Sequence, residues 1–273
     1  MKKIFTVTIV VIALIFSCKK KDPPAPVTNG SSSTSGTTTS ASTTGGTTTG
    51  GTTTGGINGG PSNTPTTNAT SFHSILSTTN FTQIVNSQTM AVRFANAYFT
   101  NTPSEYIASD GFRVGEVKLN GDSLSYATSG TQYATSFLTS TTTTKWEVSG
   151  ANGIPSFTFN ASIAEPTCTN LNLVPAAVSK SVGLSLSLTL SNFKTASLYF
   201  SDNSSSMDGT IVMQLVNGLN SINITPAQLN GMAITTNGQF ILQVENNSNH
   251  KIGGKDISFK KLLNYWKQIE IKK

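Results

Sequence analysis

The sequence predicts an all-β protein, an antiparallel β-sandwich in two units carried behind a disordered tether. Leu184-Ser185-Leu186-Ser187-Leu188-Thr189-Leu190 puts leucine at every second position, the period of a strand with one face in a core and the other in water. Asn-Gly pairs at 120–121, 152–153, 217–218, 230–231 and 237–238 separate short apolar-polar segments, the rhythm of strands joined by tight turns. From Pro23 to about Thr70 the chain is Ser, Thr, Gly, Pro and Asn with almost nothing apolar, so ordering it would cost backbone entropy that no burial offsets.

The chain starts with Met1-Lys2-Lys3, an apolar run from Ile4 to Phe16, and then Ser17-Cys18. A charged start, a short apolar stretch and a small residue before a processing point make a secretory signal over 1–17, and a membrane span would need about 20 apolar residues. Ile15-Phe16-Ser17-Cys18 resembles the lipobox of bacterial lipoproteins. The resemblance implies diacylglycerol on the Cys18 thiol, removal of residues 1–17 and a lipidated anchor over 18–22; several acyl chains hold a protein to a membrane where one does not. Lys19-Lys20-Lys21-Asp22 is similar to the lysine-plus-acid signal that sends Bacteroidota lipoproteins to the outer leaflet of the outer membrane. That implies an outer-membrane, lipid-anchored position at the cell surface, with a periplasm-facing position as the alternative.

Residues 23–70 form the expected linker, in which Thr47-Thr48-Thr49-Gly50-Gly51 repeats as Thr52-Thr53-Thr54-Gly55-Gly56. As a coil of about 48 residues it would have an end-to-end distance of about 35–40 Å, stretching to about 150 Å.

The remaining length suits two β-units, an N-terminal one over 71–166 and a second over 167–273, with the boundary where the pattern changes between Glu165 and Pro175. In the first unit the pattern predicts strands over 90–99, 112–119, 124–126, 146–148 and 157–163. In the second it predicts them over 184–190, 196–200, 210–216, 221–224, 239–244, 256–260 and 268–272. The spacing of Leu262, Leu263 and Trp266 predicts a helical turn or two before the last of these. Thr225-Pro226-Ala227-Gln228-Leu229-Asn230-Gly231 followed by 239–244 resembles the crossover into the penultimate strand of immunoglobulin-like sandwiches. Over 90–273 the chain is also similar to a group of Bacteroidota lipoproteins without an assigned activity, through Gly115-Glu116-Val117-Lys118-Leu119-Asn120-Gly121, Trp146-Glu147-Val148-Ser149-Gly150, Ile154-Pro155-Ser156-Phe157 and Gly253-Gly254-Lys255. The group implies a fold and no chemistry.

The net charge of +6 is mostly an address effect. Without Lys2, Lys3 and Lys19–Lys21, 13 of the 18 basic residues remain against 12 acidic ones, which argues against nucleic acid as a partner. A local excess of Lys251, Lys255, Lys260, Lys261, Lys267, Lys272 and Lys273 alternates with Ile257, Phe259, Ile269 and Ile271, the pattern of a solvated strand face. With Cys18 lipidated, Cys168 has no partner for a disulfide and reads as a half-buried small hydrophobe. Nothing in the sequence places His73 or His250 beside it as a base.

Glu105, Asp110, Glu116 and Asp122 are the densest acids, and a pair of carboxylates could serve glycoside hydrolysis. Trp146, Tyr98, Tyr106, Tyr126 and Tyr133 could offer sugars an aromatic platform, although Trp146 in its strand suits the core. Asp202, Ser204, Ser206 and Asp208 alternate oxygen ligands without the distal glutamate of a calcium loop. Ser191-Asn192-Phe193-Lys194 with Ser201-Asp202-Asn203 echoes a penicillin-binding signature but lies in strand and turn context. Asp122-Ser123-Leu124 resembles the Asp-Ser/Thr-apolar acceptor for O-glycosylation in Bacteroidota, which implies Ser123 as a glycan site. No cofactor or metal is expected. The expected function is noncatalytic binding of a glycan or protein through Ser-, Thr-, Asn- and Asp-rich loops, with a surface hydrolase using the 105–122 acids, or a purely structural envelope role, as alternatives.

Overall fold

The alternating leucines form a strand whose side chains read buried, exposed, buried along its length, and the same logic organises every layer of the body. The computed structural model describes residues 64–65, 71–104, 111–127, 131–136, 144–204 and 209–273. The signal segment, Cys18 and the linker call therefore lie outside the described residues, except for Thr64–Pro65. Those two form β1, which pairs with the strand carrying His250 and Lys251, so the tether expected to run to residue 70 makes a sheet contact before its end.

The first unit comprises β2 (Phe72–Val85), β3 (Gln88–Ser104), β4 (Val117–Leu119), β5 (Asp122–Ser123), β6 (Ser125–Ala127), β7 (Gln132–Ser136), β8 (Thr144–Val148) and β9 (Phe157–Ala161). The second comprises β10 (Thr167–Thr169), β11 (Ala177–Ser179), β12 (Leu184–Ser191), β13 (Thr195–Ser201), β14 (Thr210–Gln214), β15 (Gly218–Ile224), a short helix α1 (Pro226–Leu229), β16 (Thr235–Ile252) and β17 (Lys255–Lys272). β2 and β7 have no counterpart among the predicted strands. β2 is a run of hydroxyl and amide residues between apolar ones, and its turn is Asn86-Ser87, both at positive φ (49° and 63°), a hairpin geometry that asparagine tolerates without a following glycine.

In the second unit, β10-β12-β15 forms one layer, and the opposing layer runs β14-β13-β16-β17 with β11 parallel to β17. This is an immunoglobulin-like sandwich. Its core comprises Leu184, Leu186, Leu188 and Leu190 from one layer and Leu198, Phe200, Phe240, Leu242, Tyr265 and Ile269 from the other. Burying each such leucine contributes about 1.5–3 kcal/mol. The crossover helix carries a capping box, with Thr225 accepting from the Gln228 amide and the Gln228 side chain accepting from the Thr225 amide, which satisfies two otherwise orphaned donors.

The two units share one sheet. β16 and β17 are 18 residues each, and their far ends leave the second core and carry Ile252, Ile257 and Phe259 into the first. There β2 pairs parallel with β17, and β3, β7 and β6 continue the sheet. Against this half packs the β5-β4-β8-β9 layer, with Trp146, Val148, Phe157 and Leu119 in the core. Both small layers cover the same face of the long sheet. Between the two cores that face turns polar: Thr78 and Lys261 are in register and buried, and Arg93 bonds Asn80 and pairs with Glu165 at 2.5 Å. Glu165 lies on the segment between β9 and β10.

The helical turn expected within 262–268 is a strand. β17 is bonded along that stretch to β16 on one side and β2 on the other, so extended backbone satisfies its polar groups on both edges. The lysine cluster also differs from expectation. Lys261 is 3% exposed, and Lys267 donates to the Val174 carbonyl, with burial pushing its ammonium below the usual range. Lys251 and Lys260 pair with Asp256 and Glu245. The cluster is split because alternation along β17 points Lys261 and Lys267 inward with Ile257, Phe259, Tyr265 and Ile269.

Candidate functional site

Two of the four acids nominated for catalysis, Glu116 and Asp122, lie within the described residues. Glu105 and Asp110 lie outside them. Glu116 precedes β4 and is exposed; its carboxylate sits 3.0 Å from Lys118 Nζ and accepts the Ser123 hydroxyl at 2.9 Å. The Lys118 and Ser123 hydrogen bonds hold it below the usual carboxylate range, the opposite of the raised pKa a general acid needs at neutral pH. Asp122 and Ser123 are exposed on the β4–β5 hairpin, so Ser123 is accessible as an acceptor. A shallow hollow of about 320 Å³ over Glu116, Lys118, Glu147, Ser149 and Thr158 adjoins another of about 530 Å³ over Arg113, Glu116, Ser125, Tyr126 and Tyr133.

Three of the nominated aromatics are walls rather than platforms. Trp146, Tyr98 and Tyr133 are 1–2% exposed. Tyr133 accepts from the Val114 amide and donates to the Gly115 carbonyl, and burial raises its phenol pKa. Half-buried Tyr126 packs edge-on against it at 5.0 Å, and Tyr106 lies outside the described residues. Trp146, Tyr98 and Tyr133 sit on inward-facing strand positions, so these three offer no platform to a sugar.

The remaining motifs resolve into structure. Asp202 accepts from the Ser204 amide at 2.8 Å and the Ala233 amide at 2.7 Å, which occupies both its oxygens; Ser206 and Asp208 lie outside the described residues. No cluster of three or more His, Cys, Asp or Glu that could hold a metal occurs among the described residues. Ser191 bonds Thr167 at 2.6 Å and Lys194 donates to Asn247, at a strand end and in a turn. Cys168 is half-buried beside the second core, and burial pushes its thiol up to about 11, far from a thiolate nucleophile. His73 accepts from the Asp256 amide and His250 bonds Ser248, neither of them near Cys168 in the sheet register.

The feature that sequence patterning missed is the face of the long sheet beside the second core that no other layer covers among the described residues. Leu198, Phe200, Phe240, Leu242, Tyr265 and Ile269 point into the sandwich, so their alternates point out. Across four strands the pairing register aligns Val212 on β14 with Tyr199 on β13, Ile241 on β16 and Trp266 on β17. Val212 is 53% exposed, and the other three are half-buried. On one side this apolar stripe is bordered by Gln214, Ser197, Gln243 and Asn264, and on the other by Thr210, Ser201, Gln239 and Gln268. The twelve positions carry no charge. The Thr210–Gln268 border is knitted throughout, Thr210 to Ser201, Gln239 to Asn203 and Gln268 to Thr236 and Asn237. In the other, Ser197 donates to Gln214 at 3.1 Å, while the amides of Gln243 and Asn264 have no side-chain partner among the described residues. The stripe continues through Gln83 to Met90 on β2 and β3, with Phe81 and Val92 in the adjoining row.

No protein-family model matches the chain, and no curated protein matches it in sequence. Among solved structures, the titin domains Z1Z2 in complex with telethonin overlap it at 14% identity, covering 72% of this chain and 94% of that one, with a TM-score of 0.20.

The arrangement can present rings and amides on a flat, rigid surface. The strands beneath Tyr199, Ile241 and Trp266 are bonded on both edges, and their opposite faces are packed at full burial. Such a surface binds with little ordering cost.

Proposed function

We propose that this chain is a lipid-anchored envelope protein, held through diacylglycerol on Cys18 at the outer membrane, whose body binds a glycan or protein partner without a chemical step. The binding surface is the open face of the long sheet. The observation that carries this reading is the in-register stripe Val212–Tyr199–Ile241–Trp266 between two uncharged polar rows. A rigid apolar centre with a polar rim is the anatomy of a recognition surface. Glu116, paired to Lys118 and held ionised, supports binding over hydrolysis, because a glycosidase needs one carboxyl protonated.

The chain has two tryptophans, and their different settings supply the assay. Trp146 is 2% exposed in the first core, whereas Trp266 is half-buried on the open face. Acrylamide should therefore quench Trp266 preferentially in the full chain, and a bound partner should protect it. Tyr199→Ala and Trp266→Ala should weaken binding without altering the circular dichroism spectrum. Turnover of glycosides, peptides or esters that disappears in Glu116→Ala or Asp122→Ala would refute the reading, as would a partner whose affinity is unchanged in both aromatic variants.

A further inference from the structure

We infer that the stripe takes a neutral polysaccharide, with its chain laid across the strands; this rests on the reading of the open face as the binding surface and names its ligand class. Tyr199 and Trp266 stand two strands apart on one row, about 10 Å at sheet spacing. Each ring offers a broad apolar face and a polar edge, which suits the alternation of apolar ring faces and hydroxyl edges along a sugar chain. The border rows lie where those edges would fall. Side-chain amides both donate and accept, as sugar hydroxyls do, and Gln243 and Asn264 have no competing side-chain bond among the described residues.

Charge separates this ligand from an acidic one. One row beyond the borders stand Glu245, which Lys260 neutralises at 3.1 Å, and exposed Glu270, an acid that would repel rather than attract an anionic chain. No lysine or arginine stands in the three rows to meet a carboxylate or phosphate. Area separates it from a protein. Four strands by three rows cover about 390 Å² at sheet spacing, and extending the stripe to β3 gives about 590 Å². A specific protein interface needs about 800 Å² per partner, which a second copy seated on this stripe would not reach.

The test uses the full chain in a non-glycosidic detergent, run through native gels containing dextran, pullulan, glucomannan or arabinoxylan, with alginate and polygalacturonate as anionic arms. At least one neutral polymer should retard the chain, shift the Trp266 emission to the blue and shield it from acrylamide, with little dependence on salt. Trp266→Ala and Tyr199→Ala should each weaken retardation at least about tenfold, the loss expected of a central contact. Gln243→Ala should weaken it less, and Tyr199→Phe should retain most of it. Retardation by none of the neutral polymers, or by the anionic ones alone, would overturn the ligand class. If an anionic polymer alone protects Trp266, the open face still binds. Self-association in sedimentation that Trp266→Ala abolishes would also overturn the ligand class, making the face a contact between copies. Retardation unchanged in both aromatic variants, with Trp266 still open to acrylamide, would overturn the inference together with the reading it rests on.

Discussion

Asp202→Ala should cost the body about 3 kcal/mol at neutral pH. The carboxylate is 5% exposed and ties two segments together, accepting from Ser204 within its own loop and from Ala233, which follows the crossover helix. Hydrogen bonds to a charged group are worth about 1.5–3 kcal/mol each, and removing the acceptor leaves two amides short of a partner. Relief of the carboxylate's own desolvation offsets part of that sum, which brings a gross 3–6 kcal/mol down toward the lower end. For a body of this size the melting temperature should fall by about 6–12 °C. Asp202→Asn keeps one acceptor and should lie between the two. Gly209 belongs to the same device, since a Cβ there would meet Asp202 Oδ1 at 2.2 Å.

The same site fixes a pH signature. Burial raises the Asp202 pKa, but the Ser204 and Ala233 hydrogen bonds outweigh it, and the net direction is downward. A carboxyl whose folded pKa is depressed contributes stability that is fully present above its unfolded value, about 3.9, and is lost as pH falls through the folded one. Urea unfolding of Asp202→Ala and the parent should therefore diverge fully at pH 7 and converge below about pH 4. A gap under about 0.5 kcal/mol at pH 7, the range of an ordinary surface change, would refute the bridging role. An undiminished gap at acid pH would refute its electrostatic origin.

The other predictions concern the anchor, the core and the histidines. Cys18→Ala should abolish incorporation of labelled palmitate and release the protein from the membrane fraction. Leu188→Ala, at a fully buried position, should cost about 2–5 kcal/mol in urea unfolding, while neighbouring exposed Thr189→Ala should stay within about 0.5 kcal/mol. His250 lies 4.4 Å from the Phe159 ring with Nδ1 buried and unbonded, and burial lowers its pKa; burial and then Lys255 lower that of His73. Both bind protons more readily when unfolded, so stability should fall as pH drops from about 6.5 and level off below the folded values. The urea midpoint of a His73→Gln/His250→Phe variant should change less between pH 7 and pH 5 than that of the parent.

Patterning read the second unit better than the first for a physical reason. Where one strand face is core and the other water, period two is audible: Leu184 to Leu190, Ala196 to Phe200 and Ser221 to Ile224 all lie in strands, and the Thr225–Gly231 crossover is the capped helix turn that joins β15 to β16. β2 was silent because Ser74, Ser77, Thr78 and Thr79 are buried hydroxyls on a strand covered on both faces near its start. Their polarity reads as loop until the register with β17 and β3 is known. The acids and aromatics of 98–133 were legible as residue types, but their direction was not. Whether Tyr133 is a platform or a post depends on which face of β7 meets Trp146, and composition carries no such information.

The misread segment 262–268 and the missed site are one fact. Leu262, Leu263, Tyr265 and Trp266 imitate a helix because apolar residues stand on both faces of the strand, which breaks the alternation that marks a half-exposed strand. Leu263 and Tyr265 are accounted for by the second core. Trp266 is not, for its face carries no covering layer among the described residues, and it lines up instead with Ile241, Tyr199 and Val212. Strands that needed only to complete the sandwich could carry Ser or Thr at 241 and 266, as β13 does at 197 and 201, and β17 would then have read plainly as β. The lost alternation is thus the sequence trace of the stripe itself, the large side chains held partly in water on a rigid sheet that we propose a partner covers.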